Sequence, residues 1–296
     1  MPEAALAWQR HPGAMADPAR RATRYALGAI ALWSLLAALG VALQAVPPFL
    51  LTGIALMLGS MPTWPIALRQ PSTWKMPLPT LLLGVGSLFG FHFLLFLSLR
   101  TAPPLQANLV NYLWPLFIVV LSPVLLPGLR LHPLHVLAAV LGFCGAAVAI
   151  LGPGTVETRW SWGYLLALAS ALTWACYSLL TRRVQPFASA AVGLFGLVSG
   201  LLSLVCHALL EPATMLSGRD WLLLAIAGWG PLGAAFVLWD KALKLGDPRQ
   251  IGILSYLTPL LSTAMLMVIG AGTFSWSILL ATSMIVGAAG LGSRAR

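Results

Sequence analysis

Thr101-Ala-Pro-Pro-Leu-Gln-Ala-Asn-Leu-Val-Asn-Tyr-Leu-Trp-Pro-Leu116 sets prolines, amides and two aromatic residues inside a run apolar enough to enter lipid. A proline within a helix leaves a carbonyl without its amide donor, and Asn108 and Asn111 need partners that lipid tails cannot supply. Such a segment survives at membrane depth only against protein or a water-filled cavity. The stretch recurs. Shifted by 144 positions without a gap, Leu245 to Leu260 matches it at six of sixteen positions: Pro104/Pro248, Gln106/Gln250, Tyr112/Tyr256, Leu113/Leu257, Pro115/Pro259 and Leu116/Leu260. Interrupted hydrophobic segments at matching places in two halves of a chain point to the binding site of a transporter.

The surroundings agree with a membrane setting. Of 296 residues 59% are hydrophobic and 8% charged, against roughly a quarter charged in a soluble domain. A hydrocarbon core of about 30 Å needs about 20 apolar residues per helix. Ten such runs are predicted, near Tyr25–Gln44, Pro48–Leu68, Pro79–Leu99, Pro104–Leu126, Leu134–Leu151, Trp162–Thr181, Phe187–Leu209, Trp221–Leu243, Pro248–Ile269 and Phe274–Leu291. With the amino terminus inside, fourteen Lys and Arg residues fall on the inner side, and only Arg100, Arg159 and Arg219 on the outer side. This positive-inside bias places both termini in the cytoplasm. The expected fold is therefore an all-α integral membrane protein of ten transmembrane helices. Five spans per half is an odd number, so the two repeats have inverted topology.

The corresponding division is a tail over 1–24, a first five-helix repeat over 25–151, a linker over 152–161, a second repeat over 162–291 and a short tail over 292–296. The amino-terminal segment up to Pro18 is expected to be disordered, and Arg20, Arg21 and Arg24 to precede an uncleaved first span. Gly152 to Ser161 and Arg182 to Pro186 are candidate hinges. Small residues at helix-packing spacing, Gly86/Gly90, Gly142/Gly145, Gly196/Gly200 and Gly287/Gly290, suit close helix approach. Trp64, Trp74, Trp160, Trp162, Trp221 and Trp276 sit near span ends as interfacial anchors. Cys144, Cys176 and Cys206 have no CxxC partners and read as buried packing residues.

The formal charge of +10 does not imply nucleic-acid binding, because the basic residues scatter between apolar runs instead of forming a stripe. The sequence contains no HExxH, GxSxG or Walker-type loop and no deep carboxylate cluster, which leaves no self-contained ATP-driven pump and little room for catalysis. No cofactor or metal site is expected. The partners expected are a small-molecule substrate and lipid, with a monomer as the default.

His92 is the one deep imidazole, level with Asn111 and Tyr112 by helical rise. It reads either as a neutral ring bonded to Asn111 or as a substrate contact or proton site. All seven carboxylates avoid mid-membrane, and Asp240, beside Lys241, comes closest. It reads as an end-of-helix charge pair, or as a second possible proton site. Trp33, Phe91, Tyr112, Trp114, Trp174, Tyr177, Trp229, Trp239 and Tyr256 form a deep aromatic set suited to a cavity for an apolar or planar solute. Bundle packing is the plainer reading of each. The matching positions of Tyr112 and Tyr256 favour the cavity.

Asn111-Tyr-Leu-Trp-Pro115, the repeated Tyr-Leu-x-Pro-Leu and Trp174-Ala-Cys-Tyr-Ser178 resemble the drug/metabolite transporter superfamily, and within it the YddG-type exporters of aromatic amino acids. The resemblance covers nearly the whole chain from Arg24. It implies two inverted five-helix repeats around a central cavity, and efflux of aromatic amino acids and similar compounds across a bacterial inner membrane. It carries over Asn111, Tyr112, Trp114, Pro115, Tyr256 and Pro259, and Trp174 more weakly. Pro115 and Pro259 become gating breaks of the fourth and ninth helices, about which the halves rock in alternating access. The expected transport is facilitative, with a proton-coupled exporter of other substrates, or a membrane enzyme using His92, as alternatives. Ser255-Tyr-Leu-Thr-Pro259 lacks the asparagine and tryptophan of its partner, so the halves are not expected to make equivalent contacts.

Overall fold

The computed structural model describes residues 12–151, 160–270 and 275–294. Ten of its helices are long and apolar enough to cross a membrane: α1 Pro18–Ala42, α2 Pro48–Arg69, α3 Leu78–Thr101, α4 Pro104–Leu125, α5 Pro133–Leu151, α6 Gly163–Leu180, α7 Ser189–Leu210, α8 Gly218–Leu245, α9 Pro248–Val268 and α10 Trp276–Arg294. These are the ten expected runs. The first helix begins earlier than expected, at Pro12, so residues 12–18, expected to be disordered, are helical, as is the basic cluster Arg20, Arg21 and Arg24 of the expected tail. The extreme amino terminus with His11, the expected hinge over 152–159 and Glu157 lie outside the described residues.

Prolines open most of the helices, where the missing amide is no loss: Pro48 in α2, Pro104 in α4 and Pro248 in α9 each take one of the first two positions. Chain reversals use left-handed glycine where it is needed. Gly270, at φ 74, ends α9 with its amide on the Met267 carbonyl, and Gly128, at φ 94, turns the chain between α4 and α5. α8 begins with a capping box in which Ser217 and Asp220 exchange hydrogen bonds, satisfying donors that a helix start leaves orphaned.

The packing has a pseudo-two-fold pattern. α1 lies along α8 and α9 of the other repeat, and α6 lies along α3 and α4. α2 packs on α7, and α5 on α10. Each repeat thus lends its first helix to the other, and two mixed bundles result: α3, α4 and α6 with α7, and α8, α9 and α1 with α2. Two self-contained halves are not what the packing presents, because the apolar faces of α1 and α6 find their partners across the repeat boundary.

Close backbone approach requires glycine at the crossings. A Cβ on Gly59 of α2 would lie 2.5 Å from the Gly228 carbonyl oxygen of α8, and one on Gly200 of α7 would lie 2.8 Å from the Gly53 oxygen of α2. Of the expected small-residue pairs, Gly142 and Gly145 also make tight contacts, whereas Gly86 and Gly290 face open space. Trp160, Trp162, Trp221 and Trp276 are exposed at span ends, as interfacial anchors should be. Cys144 is exposed on α5, which corrects its expected burial.

Candidate functional site

The two related stretches fold as kinked helices with matching breaks. α4 divides into Pro104–Asn111 and Trp114–Leu125, and α9 into Pro248–Leu254 and Leu257–Val268. Pro115 and Pro259 fall in the first turn of each second half. The backbone crosses the break by tightened bonds, Leu113 N to Val110 O in α4 and Tyr256 N to Ile253 O in α9, both i→i+3. The chain therefore stays wound through both breaks, with turn bonds in place of the regular helical ladder.

Around the first break lies an aromatic cluster drawn from both repeats. Trp33 of α1 is its hub, with ring centroids 5.2 Å from Trp239, 5.9 Å from Trp174 and Phe236, and 6.4 Å from Trp114. Trp114 and Trp239 stand edge-to-face at 5.5 Å, and Trp174 is 5.3 Å from Tyr177 and 5.4 Å from Phe91. Such edge-on contacts suit the charge distribution of aromatic rings. These rings, expected to line a cavity, meet at one buried place and pack on one another.

Both buried indole N–H groups that anchor the hub are satisfied. Trp239 Nε1 donates to Ser178 Oγ at 3.1 Å, and Trp33 Nε1 donates to the Pro231 carbonyl at 3.1 Å. The second bond depends on a feature sequence reading missed. Within Gly228-Trp-Gly-Pro-Leu-Gly233, α8 widens to a π-helical stretch over Gly230–Ala234. Pro231 offers no amide of its own, and the loosened turn leaves carbonyls to be shared. The glycine-flanked proline was the available signal.

The polar residues occupy different surroundings from those expected. His92 does not bond Asn111: its Nδ1 lies 2.7 Å from the Leu88 carbonyl one turn earlier, and its ring stands among Phe91, Phe96 and Phe236 at the edge of the cluster. Asn111 is buried with its Oδ1 unpartnered. Asn108 and Tyr112 are half-buried on the same helix. Tyr256, expected in the cavity, is fully buried in a separate cluster with Ala146 and Ile285, its ring filling the space beside Gly142. Trp229, at 56% exposed, does not belong to the deep set.

Asp240 is 3% exposed and pairs with Lys244 at 2.6 Å, one turn along, and not with Lys241, whose ammonium lies over the Tyr25 ring. Lys244 also donates to the Phe187 carbonyl at 2.8 Å and sits 3.8 Å from that ring's centroid. Phe187 lines a cavity of about 270 Å³ between the α2–α3 loop, with Thr73 and Lys75, and the α6–α7 loop. Arg182 donates to the Gly246 carbonyl and Arg249 to the Arg130 carbonyl, tying both mixed bundles together on this basic face. Burial pulls the Arg182 guanidinium below its ordinary value, and Asp247 offsets part of that fall. Burial pushes the Asp247 carboxyl up, but hydrogen bonds and charge from Arg249, with His135 behind, outweigh it and hold the group below the usual range.

On the opposite face Glu211 holds the bundles together. It accepts from the Phe49 and Leu50 amides at the start of α2, pairs with Arg100 at 2.7 Å and meets His207 at 3.0 Å. A carboxylate at a helix start satisfies both the free amides and the helix dipole. Among the described residues no three His, Cys, Asp or Glu side chains come together as a metal site.

Ten apolar helices in two repeats, broken at matching places around a buried ring cluster, define a multi-pass membrane transporter. The EamA-like transporter family matches residues 22–151 and again 161–293. The chain belongs to that family, within the drug/metabolite transporter superfamily. It is 40% identical over 274 residues to the aromatic amino acid exporter YddG of Ancylobacter novellus, covering 90% of this chain and 95% of that one. It is 26% identical over 288 residues to the aromatic amino acid exporter YddG of Escherichia coli K12, covering 90% and 95%. A crystal structure 40% identical in sequence superposes with a TM-score of 0.86, covering 93% of this chain and 97% of that one. The protein is thus a membrane exporter of the bacterial inner membrane and not an enzyme.

Proposed function

We propose that this exporter carries aromatic amino acids from the cytoplasm, which its basic face meets, by alternating access around the ring cluster. The observation that carries the reading is the cluster itself, with Trp33, Trp114, Trp174, Tyr177 and Trp239 brought from both repeats to one buried place. Flat apolar faces with a polar edge suit a planar side chain, and the unpartnered amide oxygen of Asn111 is a ready acceptor for a substrate N–H. The names of the two exporters above support the substrate class.

The units that move are the mixed bundles, with Pro115 and Pro259 at the bends. On the basic face Pro248–Leu254 of α9 packs against Trp114–Leu125 of α4, and a Cβ on Gly252 would lie 3.2 Å from the Pro115 carbonyl oxygen. Pro104–Asn111 instead packs on α3, α5 and α6, and makes no comparable contact with Leu257–Val268. This arrangement is closed towards the basic face and looser towards the other. Transport is facilitative: His92 has a backbone partner at Nδ1, and Lys244 balances Asp240.

Efflux of labelled phenylalanine from proteoliposomes, with and without an imposed pH gradient, tests the reading. Gradient-independent flux of phenylalanine and tryptophan is expected. Flux only with the gradient would replace facilitation with proton coupling, and absence of flux from folded protein would remove the substrate assignment.

A further inference from the structure

Asp240 and Lys244 stand out because each is incompletely used. Asp240 Oδ2 accepts from Lys244, but its Oδ1 is buried with no hydrogen-bond partner. Leaving a carboxylate oxygen unpartnered out of water is unfavourable. Lys244 has three N–H donors, of which two reach Asp240 and the Phe187 carbonyl. The pair follows Trp239 directly along α8 and lies one turn from Phe236, so it adjoins the ring cluster on its basic side. Tyr177 of that cluster is within electrostatic reach of Asp240. On the far side Phe187 opens to the cavity of about 270 Å³. The pair therefore stands between a solvent-facing vestibule and the rings.

We propose that Asp240 and Lys244 form a zwitterion site, in which the α-ammonium of the substrate bonds Asp240 Oδ1 and its α-carboxylate takes the third N–H of Lys244. The inference rests on the reading that the substrate is an aromatic amino acid, and it adds the groups that hold its charged end. Neither hydrogen bond of the pair has to break, and the carboxylate shares the Lys244 ammonium with the face of the Phe187 ring. An amino-acid backbone carries both charges a few ångströms apart, so it completes the two unfilled positions together, while its ring points to Tyr177 and Trp174. A substrate with one charge fills one position and leaves the other unmet.

The test compares phenylalanine, 2-phenylethylamine and 3-phenylpropanoate as competitors of labelled phenylalanine in proteoliposomes. Wild-type protein should prefer phenylalanine over either singly charged analogue by about tenfold or more. Asp240→Asn should raise the phenylalanine KM by about tenfold and strengthen inhibition by 3-phenylpropanoate, because Lys244 is then uncompensated. Lys244→Gln should raise the phenylalanine KM and strengthen inhibition by 2-phenylethylamine. The double variant Asp240→Asn/Lys244→Gln removes both charges and keeps the buried site neutral. If the pair were merely structural, this variant would recover transport, which would overturn the site; continued loss in protein that elutes as a single folded species supports it. Wild-type flux with an unchanged KM in Asp240→Asn overturns the site alone. No wild-type flux of any aromatic amino acid overturns the underlying reading, and the site with it.

Discussion

The breaks of α4 and α9 have the same backbone and opposite surroundings. Both helices tighten within the turn before a proline, the prolines lying 144 residues apart and the tightened bond falling two residues before Pro115 and three before Pro259. In α4 the break presents Asn111 with an unpartnered oxygen and a half-buried Tyr112, next to Trp114 in the ring cluster. In α9 the equivalent residues are Ser255, whose hydroxyl bonds the Gly252 carbonyl at 2.5 Å, and Tyr256, buried against Gly142. One break leaves a buried polar atom unpartnered beside the rings, and the other is filled by packing. The kink is a property of the backbone, set by proline, and its use is a property of the side chains.

The largest expected contrast is between the two tyrosines. Tyr256→Ala empties a fully enclosed site and should destabilise the fold by about 3–5 kcal/mol, read as a large fall in melting temperature in detergent. Tyr112→Ala should leave melting near wild type and reduce transport. Equal losses of stability would erase the distinction between the breaks.

Next come the residues one position earlier. Asn111→Ala should reduce phenylalanine transport about tenfold through loss of a buried hydrogen-bond partner, with folded protein still in the membrane. Ser255→Ala should change transport less than twofold, roughly the size expected for a locally bonded hydroxyl. Unchanged transport in Asn111→Ala would move the polar contact elsewhere in the cluster.

The smallest contrast concerns Gly252 and its counterpart Asn108. A Cβ at Gly252 meets the Pro115 carbonyl oxygen and Ile118 at 3.2 Å. Gly252→Ala should therefore disfavour the arrangement closed on the basic face by about 1 kcal/mol, seen as greater cysteine-probe labelling from that side. Asn108→Ala, on the half-helix without such a contact, should not change labelling.

Much of the fold was legible in the sequence. Ten apolar runs and their basic loops follow from the physics of the bilayer, and the internal match of proline, glutamine and tyrosine located both breaks to within a residue or two. The indole cluster was also legible, because Trp33, Trp114, Trp174 and Trp239 all fall within the deep aromatic set, Trp239 nearer the inner end of its span. What the sequence did not reveal depends on rotation of a helix about its own axis. Tyr256 and Trp229 have the depth of site residues but face another way, and depth carries no azimuth. Asp240 was read against its neighbour Lys241, whereas helical geometry favours the partner four residues on. The π-helical turn at Pro231 was missed because glycine and proline within a span were read only for packing and kinks.

The exchange of first helices between repeats has a consequence for how the chain is made. α1 finds its packing partners in α8 and α9, near the other end of the chain. Ala26, Ala29 and Ile30, enclosed in the finished protein, must face lipid or other provisional neighbours until α8 and α9, which end at Val268, have been synthesised. The amino-terminal half made alone would insert its five spans yet lack the surface against which its first helix docks. Assembly therefore finishes late, and the same long-range contacts that bring Trp33 to Trp239 make completion of the ring cluster a sign that the eighth helix has arrived.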